Sequence, residues 1–134
     1  MLILVTGSSG QLGKSLKGLI HQSNLNHEFV FATREQLDLS NFNNVRNLIE
    51  KNKFDIIINC AAYTSVDKAE MEKKQASLIN HLSVWNLAEI ARDNHIKLIH
   101  ISTDYVFDGS KLDSYDESDA VSPLNVYGIT KLDG

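Results

Sequence analysis

The sequence predicts an α/β fold in which a doubly wound parallel sheet carries helices on both faces. Short apolar runs without polar alternation are separated by helix-length segments with apolar residues every three or four positions. A glycine-rich stretch follows the first apolar run directly. The chain has 134 residues, and 43% of them are hydrophobic, which is enough for one buried core. We therefore expect a single domain built from strand–helix–strand units.

Four apolar runs are predicted to form the strands. They consist mostly of Ile, Val, Leu and Phe, as is typical of strands that are covered on both faces. The runs occupy Leu2 to Thr6, Glu28 to Thr33, Asp55 to Cys60 and Lys97 to Ser102. Because a helical segment follows each run, we expect the strands to be parallel and joined by right-handed crossovers.

Four segments have the periodicity of helices. They are Gln11 to Ser23, Phe42 to Lys53, a long segment from about Glu72 to Asn94, and a last one that begins near Asn125 or Val126. Ser40 is expected to cap the second helix. Trp85, in the long helix, is expected to be an anchor in the core or at an interface rather than a ligand contact.

The end of the chain has two interpretations. Gly134 either caps the last helix, or the chain is part of a longer protein. We favour the second interpretation, because an open sheet of four strands would leave one flank uncovered.

Composition and charge exclude several classes of function. The formal charge is −4 and Lys and Arg form no cluster, so no nucleic-acid partner is expected. No apolar run reaches the ~20 residues of a membrane span and no signal peptide is recognisable, so no membrane partner and a cytoplasmic location are expected. The lone Cys60 is expected to pack as a small hydrophobic residue, and the histidines lack the spacing of metal ligands.

The glycine-rich stretch is TGSSGQLG, with Gly7, Gly10 and Gly13 at intervals of three. Such a turn lets backbone N–H groups and a helix N-terminus meet a phosphate, as in Rossmann-type dinucleotide sites. Taken alone, the pattern is equally consistent with an ordinary strand-to-helix loop. Its position between the first strand and the first helix favours dinucleotide binding.

Two residues near the C-terminus could support acid–base chemistry. Tyr127 and Lys131 are four residues apart, so a helix would place them on one face. A neighbouring cation favours the phenolate and so lowers the pKa of a tyrosine. By itself this spacing is more typical of a solvated helix face. However, the fourth strand ends in Ser102-Thr103-Asp104-Tyr105, at the sheet edge where ligands bind in such folds.

Five stretches, in order along the whole chain, resemble the extended short-chain dehydrogenase/reductases. Within that family they are most similar to reductases that act on the 4-keto group of a dTDP-linked 6-deoxyhexose. The stretches are TGSSGQLG, Asp38-Leu39-Ser40, NCAAYTSVDKAE from Asn59, STDYVFDG from Ser102 and PLNVYGITKLDG from Pro123.

The resemblance implies a role for each matching residue. The implied pyrophosphate loop consists of Gly7, Ser9, Gly10, Gln11, Leu12 and Gly13. Adenine contacts are implied for Asp38 and Leu39, and a wall beside the nicotinamide ribose for Ala61, Ala62 and Tyr63. The implied catalytic residues are the Thr103 hydroxyl, the acid Tyr127 and its cationic partner Lys131, and the implied sugar contacts are Thr103, Asp104 and Tyr105. Asn80 matches an asparagine that supports the active-site lysine in this family, or else has a packing role.

Charge at the end of the second strand bears on the choice of cofactor. An acidic residue there would bond the ribose hydroxyls of NAD, whereas an arginine would accept the 2′-phosphate of NADP. The sequence has Arg34 at this point, which favours NADPH, but Glu35 follows it and keeps NADH possible.

The resemblance leaves two other activities open. A sugar-nucleotide dehydratase would carry Asp-Glu after its catalytic threonine, whereas this chain has Asp104-Tyr105. A non-catalytic regulatory subunit, like that of methionine adenosyltransferase, retains much of the same sequence. In this family a smaller C-terminal domain, on the order of 100 to 150 residues, holds the nucleotide sugar. Residues 1–134 would then be a truncated dinucleotide-binding domain, and the full-length protein a homodimer.

Overall fold

The computed structural model describes all residues from 1 to 134 and confirms the α/β architecture. Four parallel strands form one sheet in the order β2-β1-β3-β4. The strands are β1 (Leu2–Thr6), β2 (Glu28–Ala32), β3 (Ile56–Asn59) and β4 (Lys97–His100). Each lies within its predicted apolar run.

Six α-helices connect and flank the strands. They are α1 (Gln11–Gln22), α2 (Phe42–Asn52), α3 (Val66–Ala69), α4 (Lys73–Ser77), α5 (Ser83–Asp93) and α6 (Val126–Asp133). The long helix predicted over residues 72–94 is interrupted by a π-helical turn, Leu78–Leu82, which joins α4 to α5. A 3₁₀ turn follows β4 at Asp104–Val106. None of these helices combines the length and the apolar composition of a membrane span.

The expected cap of the second helix is wrong. Asn41, not Ser40, caps α2: the Asn41 side chain accepts a hydrogen bond from the backbone N–H of Asn44 at 3.2 Å. Ser40 instead donates two hydrogen bonds to the Asp38 carboxylate, one from its backbone N–H and one from its hydroxyl. Trp85 is 60% exposed, which rules out the core as the place it anchors, and an interface role for it stays a prediction.

The main core lies between one face of the sheet and the helices α2 and α5. Leu4 of β1 and Ile57 of β3 are neighbours in register, and Leu98 of β4 continues the row. Val45 and Ile49 of α2 and three residues of α5 pack against this row; those of α5 are Leu87, Ile90 and Ala91. Side chains alternate between the faces of a strand, so the neighbouring residues of each strand point the other way.

The opposite face of the sheet is covered less completely. Val5 and Phe31 lie in register on this face, and the Lys17 ammonium of α1 lies 5.5 Å from the Phe31 ring centroid. Further along the same face, Ile58 is only half-buried and Ile99 is 41% exposed. Helix α1 therefore covers β1 and β2, while the part of this face formed by β4 is open.

The topology places a crevice at the carboxyl ends of the strands. Strand β1 lies between β2 and β3 in the sheet. The connection that follows β1 leads to β2 on one side, whereas the connection that follows β3 leads to β4 on the other side. The loops after β1 and β3 therefore diverge at this point, which is where open α/β sheets bind ligands.

Candidate active site

A continuous groove lies at the carboxyl edge of the sheet. It consists of two adjoining cavities of about 440 and 470 Å³, which share Gly10, Cys60, Ala61 and Ala62. We call them the outer half, which extends toward the loop after β2, and the inner half, which extends toward α6. Most of the residues implied in ligand binding line one half or the other.

The glycine loop forms the floor between the two halves. Gly7 has a φ of +65°, and a Cβ at this position would lie 2.5 Å from the backbone nitrogen of Ala61. A side chain is thus excluded both by the backbone conformation and by the close approach of the next loop. The Gly10 N–H donates to the Gly7 carbonyl at 3.0 Å, which closes the turn into α1.

Gly13 has a packing role in this loop. It is buried and does not line the groove, and a Cβ there would lie 2.6 Å from the carbonyl oxygen of Gly7. The third glycine thus lets α1 pack closely against the strand end, as in the dinucleotide fingerprint.

The outer half is mixed in polarity and carries both signs of charge. The implied residues that line it are Gly7, Ser9, Gly10, Arg34, Asp38, Leu39, Ala61, Ala62 and Tyr63. Hydrogen bonds from the backbone N–H and the hydroxyl of Ser40 hold the pKa of Asp38 below its ordinary value. Asp38 is therefore an ionised acceptor at neutral pH, next to the Arg34 guanidinium along the same wall.

Sequence reasoning missed the far wall of the outer half, which consists of Glu72, Gln75 and Ile79. The Tyr63 hydroxyl donates to the Glu72 carboxylate at 2.6 Å, and this hydrogen bond raises the pKa of Tyr63. This wall comes from α4 and the π-helical turn, and no local motif marks these residues as groove-lining.

The inner half contains Tyr127 and Lys131 together with Gln11 and Leu12 of the glycine loop. Helix α6 begins where the Asn125 side chain accepts from the Gly128 N–H at 2.7 Å, and it carries both residues into the groove. Lys131 is only 5% exposed, and its burial lowers its pKa. The sequence prediction that Tyr127 and Lys131 share one site is therefore consistent with the groove.

The Lys131 amine has two partners, neither of which is Tyr127. Its Nζ lies 3.0 Å from His100 Nε2 and donates to the backbone carbonyl of Ile101. His100 was not among the predicted site residues. The only signal for it is a histidine within the otherwise apolar run Leu98-Ile99-His100-Ile101, one of the predicted strands.

A chain of polar side chains runs along the strand ends to Lys131. Thr6 and the Ala61 N–H both donate to Asn59 Oδ1, at 2.6 and 3.1 Å. Asn59 Nδ2 lies 3.1 Å from His100 Nδ1. Burial and the neighbouring charge of Lys131 lower the pKa of His100 to about 4, so its ring is neutral at pH 7.

Asn80, on the π-helical turn, links the two halves of the groove. Its side chain accepts from the Tyr63 N–H at 2.8 Å and donates to the Tyr63 carbonyl and to the Thr130 hydroxyl at 3.0 and 3.1 Å. Asn80 therefore fixes the groove wall against α6 through Thr130, the neighbour of Lys131.

The segment after β4 lies beside the groove rather than in its lining. Thr103, Asp104 and Tyr105 line neither half. Thr103 Oγ1 accepts from the Tyr105 N–H at 3.3 Å and lies 3.2 Å from an Asp104 carboxylate oxygen. Tyr105 contacts the Tyr127 ring edge-on, with the centroids 5.5 Å apart. The segment thus borders the Tyr127 end of the groove.

Comparison with known proteins places the chain in one family. The family model described as RmlD substrate binding domain matches residues 1–134. The chain is 44% identical over 132 residues to a dTDP-4-dehydrorhamnose reductase of Aggregatibacter actinomycetemcomitans, covering 98% of the chain and 45% of the relative. It is also 44% identical over 135 residues to a dTDP-4-dehydrorhamnose reductase of Escherichia coli, covering 100% and 45%.

Solved structures agree with this result. A dTDP-4-dehydrorhamnose reductase from Clostridium acetobutylicum superposes with a TM-score of 0.94 at 38% identity, over 99% of this chain and 47% of that one. One from Bacillus anthracis, in complex with NADP, superposes with a TM-score of 0.91 at 37% identity, over 98% and 46%. The chain thus spans about half the length of the curated relatives it matches. The fold, the groove and the family match together show that the chain belongs to the RmlD substrate-binding-domain family.

Proposed function

We propose that the protein reduces the 4-keto group of dTDP-4-dehydro-L-rhamnose to give dTDP-L-rhamnose, with NADPH as the reductant. The observation that carries this proposal is the single groove that joins the glycine loop to Tyr127 and Lys131. Relatives that bear the name of this reductase, each about twice as long as the chain, support the choice of substrate.

The residues of the groove fit a dinucleotide. The glycine loop presents backbone rather than side chains to the groove: Gly7 and Gly10 both line it, and at Gly7 a Cβ would collide with the next loop. The N-terminus of α1 opens onto the same space and favours negative charge. The outer half would hold the adenosine portion and the inner half the nicotinamide portion, and NADPH when bound supplies a hydride.

Tyr127 would act as the acid in this reaction. Reduction of the 4-keto carbon leaves negative charge on its oxygen, and the Tyr127 hydroxyl would give that oxygen a proton. The Thr103 hydroxyl would donate a hydrogen bond to the same oxygen, after turning away from Asp104, and so stabilise the developing charge. Asp104 and Tyr105, which border the Tyr127 end of the groove, would contact the sugar.

Lys131 would hold the nicotinamide ribose next to Tyr127. Lys131 lines the inner half, where its amine contacts the His100 ring and the Ile101 carbonyl. We assign residues 1–134 to the dinucleotide-binding part of the enzyme, and we expect the nucleotide sugar to be held largely by additional residues of the full-length protein. The homodimeric state and the cytoplasmic location of that protein stay predictions.

The test is consumption of NADPH by the full-length protein with dTDP-4-dehydro-L-rhamnose as substrate. We expect substrate-dependent oxidation that Tyr127→Phe reduces at least 100-fold, because the phenyl ring retains the packing against Tyr105 and removes only the hydroxyl. Tyr115→Phe is the matched control, since Tyr115 stacks on Phe107 in an exposed loop.

Two results would contradict the proposal. Binding of NADPH without oxidation would favour a regulatory, nucleotide-binding subunit that retains the fold. Full activity of the Tyr127→Phe protein would show that another group supplies the proton.

A further inference from the structure

His100 occupies a position that the proposed reaction leaves without a role. Its ring lies between Asn59 and Lys131, with Nδ1 3.1 Å from Asn59 Nδ2 and Nε2 3.0 Å from Lys131 Nζ. It is the last residue of β4, at the carboxyl edge of the sheet. The ring is therefore bonded on both nitrogens inside a partly buried network.

The hydrogen bonds of Asn59 determine which ring nitrogen carries the proton. The Ala61 N–H can only donate, so the Asn59 atom that faces it must be the carbonyl oxygen, and the Thr6 hydroxyl donates to the same oxygen. The Asn59 NH₂ group then points at His100 Nδ1, which must be an acceptor. A neutral His100 consequently carries its proton on Nε2, the nitrogen that faces Lys131.

This arrangement conflicts with a full ammonium on Lys131. The Nε2–H of His100 is a donor and needs an acceptor, and a neutral amine has a lone pair that can accept it, whereas an ammonium has only protons. The Ile101 carbonyl takes one proton of the amine in either form. The geometry thus makes protonation of the Lys131 amine less favourable as long as Lys131 faces the ring, although it does not abolish the charged form.

We propose that His100, held in its Nε2–H form by Asn59, is a positioning residue that fixes the Lys131 amine beside the Ile101 carbonyl and sets how readily that amine takes up a proton. The inference rests on the proposed function for its catalytic meaning, because Lys131 is assigned there to the nicotinamide ribose. The hydrogen-bond network itself does not depend on that function.

The other groups around Lys131 do not offset this effect. The remaining ionisable side chains of the inner half are Cys60 and Tyr127, and no carboxylate lines it. Next to Lys131 on other elements, His100 is the titratable group within hydrogen-bond distance of its amine. Burial lowers the pKa of Lys131 and raises the pKa of the Cys60 thiol, so it disfavours the charged form of both groups.

The first experiment reads the network directly, on the 134-residue chain and on the full-length protein. Nitrogen-15 NMR of the His100 ring gives its tautomer, and the Lys131 amine signal followed against pH gives its titration midpoint. We expect the proton on Nε2, and a Lys131 midpoint that rises in His100→Gln, because a glutamine can turn its carbonyl oxygen toward the ammonium. His27→Gln, at an exposed histidine before β2, should leave the midpoint unchanged.

The second experiment measures the proposed reaction in the full-length protein. His100→Gln should lower kcat roughly tenfold, because the amine is no longer fixed beside the Ile101 carbonyl, and should shift the pH dependence of kcat in the direction of the Lys131 midpoint. The His27→Gln control should keep both. His100→Asn can accept the Asn59 hydrogen bond in place of Nδ1, but its shorter side chain does not reach Lys131. This variant should also lower kcat, and it should raise the Lys131 titration midpoint less than His100→Gln does. Circular dichroism of each variant establishes that it is folded.

The two experiments separate the inference from the proposed function. A proton on Nδ1, or a Lys131 midpoint that His100→Gln leaves unchanged, would overturn the inference whatever the protein catalyses. A confirmed network in a protein that oxidises no NADPH would overturn the proposed reaction and leave His100 as the residue that controls protonation of Lys131.

Discussion

The guanidinium of Arg34 follows β2 and lines the outer half of the groove, on the same wall as Asp38. Its neighbour Glu35 does not line the groove, so of these two adjacent charged residues only Arg34 is placed to meet a ligand there. A phosphate on the adenosine ribose would gain a charge-assisted hydrogen bond from Arg34, whereas two ribose hydroxyls would gain much less.

Arg34→Ala should therefore weaken NADPH binding and change NADH binding little. Loss of one hydrogen bond to a charged group corresponds to about a 10- to 100-fold rise in the NADPH Kd. Fluorescence titration of the bound nicotinamide measures both constants. Arg46→Ala is the control, because Arg46 pairs with Glu50 on the outer surface of α2. Equal losses for the two cofactors would contradict the role of Arg34 in choosing between them.

The lowered pKa of His100 makes stability depend on pH at mildly acid values. The pKa falls from 6.5 in the unfolded chain to about 4 in the fold. Between these values the unfolded state binds more protons at His100 than the folded state does. The contribution of His100 to the free energy of unfolding is therefore complete above pH 6.5 and is lost as pH falls toward 4. We expect His100→Gln to flatten this dependence.

Urea unfolding at pH 7.0 and pH 4.5 tests this expectation. The wild-type chain should lose about 1 to 2 kcal/mol more than His100→Gln over this interval, a figure reduced from the full pKa shift because solvent screens a half-exposed ring. His27→Gln should behave like the wild type. Equal slopes for wild type and His100→Gln would mean that the ring is solvated in the fold.

Among the elements, the turn between β1 and α1 has the strictest steric requirement. At Gly7 a Cβ would lie 2.5 Å from the Ala61 nitrogen and the φ is +65°, whereas at Gly18 on α1 a Cβ would meet nothing within 4 Å. Gly7→Ala should therefore separate the two loops and lower both stability and NADPH binding. Gly18→Ala should raise stability by up to ~1 kcal/mol, since alanine favours a helix.

Thermal unfolding and cofactor titration of the two variants compare these positions directly. Both variants add the same methyl group, so any difference between them reflects the surroundings of residue 7 and residue 18. A Gly7→Ala protein with unchanged stability and affinity would show that the loops tolerate a side chain, and the dinucleotide assignment of the turn would lose its steric basis.

The same elements show what a sequence can predict. Strands β1 to β4 and helices α1, α2 and α6 were predictable because their signals are local: apolar runs, helical spacing and the glycine turn. The π-helical turn at Leu78–Leu82 was not, because the apolar spacing continues through it. Asn41 and Ser40 are equally good caps by residue type, and only the contact of Ser40 with Asp38 decides between them.

The candidate site divides in the same way. The glycine loop and the pair of Tyr127 and Lys131 lie in contiguous motifs, so their presence in one groove could be predicted from the strand order. His100 and Glu72 could not, because their roles depend on partners 31 and 9 residues away in the chain. Long-range hydrogen bonds leave no periodic signal in a sequence.

At the scale of the whole molecule, the sheet is covered unequally. Helices α2 and α5 cover one face completely enough to leave Leu4 and Ile57 with no exposure, whereas α1 alone covers the other. On that second face Ile99 of β4 is 41% exposed, as is Ile101 just after the strand. The free edge of β4 lies beside this apolar surface, and an open strand edge invites pairing with another chain.

We therefore predict that the 134-residue chain associates with itself through the open face and edge of β4. Ile99→Lys should reduce this association roughly tenfold or more, because burying an isoleucine side chain is worth about 1.5 to 3 kcal/mol and a charge cannot replace it. Leu112→Lys adds the same charge at a fully exposed loop position and should change nothing. Sedimentation velocity at ~100 µM distinguishes the species. A wild-type chain that sediments as a single 15.0 kDa monomer would show that the exposed isoleucines of β4 are too few to hold two copies together.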